Sequence, residues 1–129
     1  MLSVDRTVLV RLITNDDPKE GRRAAALFES GPVFVPTTVL LETAIVLQHG
    51  YRLDRATLAK SLRAVLGLPN VVTQNALEVE RALALLEAGL EFPDALHIAS
   101  SGAAAALRTF DAELIRRAIA AGVRNVSFA

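Results

Sequence analysis

A chain of 129 residues suits one compact domain, and an apolar content of 52% excludes a disordered chain. The 14 Lys and Arg residues balance 14 Asp and Glu, so binding of nucleic acid by bulk positive charge is disfavoured, and the lack of cysteine rules out disulfides and Cys-based zinc sites. No apolar run approaches the roughly 18–20 residues that span a bilayer. The opening Met1-Leu2-Ser3-Val4-Asp5-Arg6 meets charge too early for a signal peptide, so a cytoplasmic protein is the expectation.

In chain order, Leu2-Ser3-Val4 reads as a short buried strand and Thr7 to Thr14 as a helix turning Val8, Leu9, Leu12 and Ile13 inward. Asn15-Asp16-Asp17-Pro18 is a turn, with Asp17 the cap and Pro18 the first residue of a second helix that stops near Ser30-Gly31. Val33-Phe34-Val35 is a second strand. Thr37 or Thr38 caps a third helix through Leu41, Ile45 and Val46 that ends near His49-Gly50. Asp54 caps a fourth, with Leu58, Leu62 and Val65 as one stripe. Val71-Val72-Thr73 is another strand, followed by a helix from Asn75 with Val79, Leu83 and Leu86 inward. Phe92-Pro93-Asp94 opens an alanine-rich helix to about Ala106. Arg108-Thr109-Phe110 is a strand, Asp111 caps the last helix, and Val126-Ser127-Phe128 closes the chain.

Short apolar strands alternating with helices predict a layered α/β domain with a mostly parallel central sheet, residues 1–129 forming a single unit. In such sheets ligands bind beyond the carboxyl ends of the strands. Asp5 follows the first strand and Asp111 the strand at Arg108-Thr109-Phe110; Asp94 opens a helix, and Glu42 interrupts the apolar run Val39-Leu40-Leu41-Glu42-Thr43-Ala44-Ile45. Singly, Asp5, Asp94 and Asp111 also read as helix caps, and Glu42 as a solvated glutamate. Together, four carboxylates meeting at one point repel, so a proton or a cation must neutralise them. Oxygen donors without cysteine select a hard ion, Mg2+ or Mn2+, which activates water and stabilises charge on a phosphate.

The stretches that carry this pattern resemble a known family. Val4-Asp5-Arg6-Thr7-Val8-Leu9-Val10-Arg11-Leu12, Thr38-Val39-Leu40-Leu41-Glu42, Glu91-Phe92-Pro93-Asp94-Ala95-Leu96-His97-Ile98-Ala99 and Thr109-Phe110-Asp111 resemble, in order and spacing over nearly the whole chain, the acidic motifs of the PIN domains of the VapC class. These are the ribonuclease halves of type II toxin–antitoxin pairs. The resemblance implies a PIN-like three-layer α/β/α fold and a Mg2+- or Mn2+-dependent endoribonuclease. It places metal binding on Asp5, Asp94 and Asp111, and gives Glu42 a role in binding metal or orienting the attacking water. It also implies a homodimer, an antitoxin whose basic side chains reach the acidic pocket, and RNA as substrate.

The chain departs from that pattern after its first aspartate, where the family usually has Thr or Ser and then Asn. Arg6 and Thr7 stand there instead. A guanidinium so placed either competes with the cation or points along the helix toward phosphate, and the second is the expectation. Thr7 and Arg11 are the candidate substrate contacts, Arg11 reading equally well as a surface residue. Glu91 reads as an outer ligand or a solvated loop residue, His97 as a packed helical histidine, and His49 as a helix-end partner. Arg22-Arg23 and Arg116-Arg117 read as solvated faces. A phosphoreceiver would need a lysine after a late strand, and a haloacid-dehalogenase-like phosphatase a second aspartate at position 7; neither is present. The rival reading is a catalytically weak PIN fold acting as a binding module. One of the stripes Leu58/Leu62/Val65 and Val79/Leu83/Leu86 is expected to stay exposed for self-association.

Overall fold

The structure is a computed structural model describing residues 1–129. The chain divides into two compact units, Met1–Ala76 and Leu77–Ala129. The first contains β1 (Leu2–Ser3), α1 (Arg6–Thr14), α2 (Pro18–Glu29), β2 (Val33–Val35), α3 (Thr37–Ile45), α4 (Arg55–Leu66) and β3 (Val71–Thr73). Its strands form a parallel sheet in the order β1-β2-β3, with Leu2 opposite Val33 and Val33 opposite Val71. Parallel neighbours need long crossovers. The helix pair α1–α2 supplies one, and α3 with α4 the other. Val33 and Val35 are fully buried, as a central parallel strand requires.

Local chemistry sets the helix starts. Asp5 Oδ1 accepts the Thr7 and Val8 N–H groups at 3.0 and 3.2 Å, and Asp17 Oδ1 accepts the Glu20 N–H at 3.1 Å with Pro18 just inside the helix. The predicted cap of α3 differs. Pro36 occupies the cap position without a side-chain bond, and Gln74 Oε1 accepts the Thr37 N–H at 2.7 Å from beyond β3. The same helix continues through a π-helical turn, Val46–Gly50. The inward face of α1 also differs from expectation: Leu9 and Val10 are buried, whereas Val8, Leu12 and Ile13 are only partly so. Two neighbours, α2 and α3, pack on this short helix, so no single stripe is inside.

The second unit contains α5 (Ala76–Glu87) from its second residue on, α6 (Phe92–Ser100), β4 (Leu107–Thr109), α7 (Ala112–Ala120) and β5 (Val126–Phe128). β4 and β5 pair in parallel, Leu107 opposite Val126, with α7 as their crossover. The helix α6 ends well before Ala106. Residues 102–105 are exposed and carry no apolar stripe to bury, so alanine propensity alone does not extend it. The strand β4 stops one residue short of the predicted one, leaving Phe110 outside it and 85% exposed.

Neither leucine-rich stripe is free. Leu58, Leu62 and Val65 on α4 and Val79, Leu83 and Leu86 on α5 are all buried, which removes the expected self-association surface. Every strand pairing is parallel and seven α-helices separate the strands, the content of a three-layer α/β/α fold. No helix is long and apolar enough to cross a membrane.

Candidate active site

In the first unit the acids follow from the strands. β1 delivers the chain to Asp5, which caps α1 through Oδ1 and leaves its other oxygen without a protein donor. β2 delivers it to Pro36 and α3, on which Glu42 is exposed beside buried Thr43. Both elements leave the carboxyl ends of adjacent parallel strands, the edge where ligands bind in such sheets.

Because α1 packs on α3, the first helical residue, Arg6, lies against Glu42, with Nη1 3.6 Å from Oε2. The expectation that Arg6 points away from the acids is therefore corrected. The pair is about half exposed on both sides, so its attraction is modest.

Thr7 and Arg11 line one groove between α1 and α2, of about 260 Å³, together with Val8, Glu20, Arg23, Ala24 and Leu27. Arg11 is not free within it. Its Nε donates to Glu20 at 2.7 Å and its Nη1 to Asp16 at 3.0 Å, and these contacts, the Glu20 hydrogen bond first, raise its pKa further. Asp16 is drawn below the usual carboxylate range chiefly by the hydroxyl of Tyr51, which donates to it.

In the second unit Asp94 is the third residue of α6 and Asp111 caps α7. Asp111 Oδ1 accepts the Glu113 and Leu114 N–H groups at 3.0 and 3.1 Å, and its own N–H donates to Thr109 Oγ1 at 3.0 Å. Asp94 is half-buried, and its carboxylate accepts no hydrogen bond. Burial first, and then the negative charge of Asp111, push its carboxyl above the usual range. Glu91 adds to the rise, while His97 and Arg117 oppose it. Here the structure brings two predicted acids into electrostatic contact.

Sequence reasoning missed what lies beside them. Arg117 Nη1 donates to Glu91 Oε1 at 3.1 Å, and its Nε lies 3.2 Å from Glu113 Oε1. The only local signal was the spacing of Glu113 and Arg117, four apart on one helix face. The bond to Glu91, 26 residues away, leaves no trace in spacing.

No three His, Asp or Glu side chains group closely enough to hold a metal ion. Mg2+, however, commonly takes one or two carboxylates and keeps waters in its other positions. Asp94 and Asp111 fit that demand: both donate only oxygen, they repel each other, and Asp94 has no hydrogen-bond donor to satisfy it. Glu42 fits it less well while Arg6 lies on it.

No match to a curated protein was found. A family model described as the PIN domain matches residues 2–120, running through both units and over Asp5, Glu42, Asp94 and Asp111. Since that match takes in nearly the whole sequence, the chain belongs to the PIN-domain family.

Proposed function

We propose that this chain is a Mg2+- or Mn2+-dependent endoribonuclease, the toxin half of a VapBC-type pair, working in the cytoplasm as a homodimer. PIN domains are typically nucleases and generally use divalent ions. The observation that carries the reading is Asp94: it is half-buried and without a hydrogen-bond donor, and burial and Asp111 push its carboxyl up, so its charge is one that a divalent cation would stabilise. An ion held by Asp94 and Asp111 would supply a water nucleophilic at neutral pH and positive charge against the phosphate.

The chain's own groups do the rest. Asp111 is held rigid by the two N–H groups it caps, so its second oxygen keeps a fixed direction. Asp5 is held in the same way at α1. Glu42 orients the attacking water once Arg6 has left it, and Arg6 then becomes a phosphate contact. The Thr7 hydroxyl donates to substrate; Arg11 joins it only by giving up Glu20 or Asp16. A cognate antitoxin blocks the acids with basic side chains.

The purified protein is expected to cut RNA with Mn2+, and D94N and D111N to lose at least about a hundredfold in rate, the order of one essential catalytic group. D111N is the sharper probe because asparagine still caps a helix. Equal cleavage by wild type and D111N would point to a contaminating nuclease and sink the proposal. One observation favours the second reading, a catalytically weak binding module: the Arg6 guanidinium stands where a cation would approach Glu42. RNA bound by wild type and D111N alike, and cut by neither, marks that case.

A further inference from the structure

We propose that Arg117 is a positioning residue for the acidic pair, a brace that sets the separation of Asp94 and Asp111 by tying their helices together. Its consequence for metal binding rests on the reading that those two acids share a divalent ion. The brace spans two elements. Arg117 lies on α7, whose first turn Asp111 caps, while Glu91 holds the cap position of α6, three residues before Asp94. One guanidinium thus reaches across to Glu91 with Nη1 and back along its own helix to Glu113 with Nε, at 3.1 and 3.2 Å. A planar fork that engages two acceptors at once fixes direction as well as distance, which a lysine ammonium does not.

Shelter separates this contact from the other ion pairs nearby. The side chains of Arg117 and Glu91 are 29% and 33% exposed. Arg116, its neighbour, is 67% exposed and pairs with Glu113 three residues back on the same helix, so it joins nothing. The positions follow from the helix. Asp111 and Arg117 sit at either end of the first two turns of α7, and a shift of Arg117 tilts the turn that carries Asp111. Glu91 and Asp94 occupy one turn of α6, so the same shift moves Asp94 against it.

The competing account is that Arg117 acts only as a nearby positive charge. The two accounts predict opposite signs. Removing a cation beside carboxylates tightens a divalent ion, whereas removing a brace loosens it. The experiment is calorimetric titration of the full-length protein with Mn2+, comparing wild type, R117K and R117Q, with thermal melts to confirm folding. Loss of a partner that orients metal ligands commonly costs 10–100-fold in affinity. About tenfold weaker Mn2+ binding by both variants is expected, with R117K weakened although its charge is kept. Unchanged binding by R117K with tighter binding by R117Q overturns the proposal.

Should wild type bind no Mn2+, the metal reading fails by itself. The brace is then read from crystal structures of wild type and R117K. A changed separation of the Asp94 and Asp111 carboxyls supports it, and an unchanged one overturns it.

Discussion

Asp94 carries a cost that the fold tolerates. Its carboxyl is raised by burial and by Asp111, so its contribution to stability is full below the unfolded carboxylate pKa and is lost as pH rises through the folded one. Without divalent ions, D94N is therefore expected to melt higher than wild type at neutral pH, with the difference shrinking in acid. Melting curves across that range check it, and a difference independent of pH would contradict the assignment. Thr43 carries another cost: it is fully buried, and its hydroxyl has no partner. Valine has the same shape without the orphaned oxygen, so T43V is expected to gain about 1 kcal/mol in urea unfolding.

Helix ends are where this chain specifies its elements most locally. Asp17 holds the Glu20 N–H at 3.1 Å, and D17A is expected to lose about 1 kcal/mol by urea unfolding. Beyond the end of α7, Gly122 adopts φ +84, a backbone that side chains resist, and G122A is expected to cost about 1–2 kcal/mol. The caps at Asp5, Asp17, Asp54 and Asp111 were legible because donor and acceptor lie within three residues of each other. The start of α3 was not, because the side chain that satisfies Thr37 belongs to Gln74, across a sheet strand. Nor was the early end of α6. Alanine at 103–105 reads as helix from propensity alone, but a short segment with nothing to bury stays exposed and irregular.

Across the whole molecule the parallel α/β class and the family pattern were legible, because Asp5 and Asp111 follow strands, Asp94 lies in the first turn of a helix and Glu42 interrupts an apolar helical run, and periodicity locates these elements. The cations facing those acids were less so: in the sequence Arg6 reads as a competitor for the cation but is expected to point toward phosphate, and Arg117 reads only as part of a solvated face. Arg6 meets Glu42 and Arg117 meets Glu91 through helix packing, which no spacing encodes. If Asp94 and Asp111 bind a divalent ion, excess Mn2+ stabilises the whole fold; at a hundred times Kd the gain is about 2.7 kcal/mol. Wild type is then expected to melt higher with Mn2+ while D94N does not, reversing their order in its absence. The pairing of Arg6 with Glu42 extends to ionic strength. The chain's formal net charge is zero, so added electrolyte acts mainly on local pairs, and one that is half exposed is readily screened. Moderate salt is expected to loosen Arg6 from Glu42 and free the glutamate; if the chain is the ribonuclease proposed above, higher salt weakens its attachment to the RNA backbone. Cleavage should accordingly climb and then fall as potassium chloride is raised, and R6T should show the fall alone.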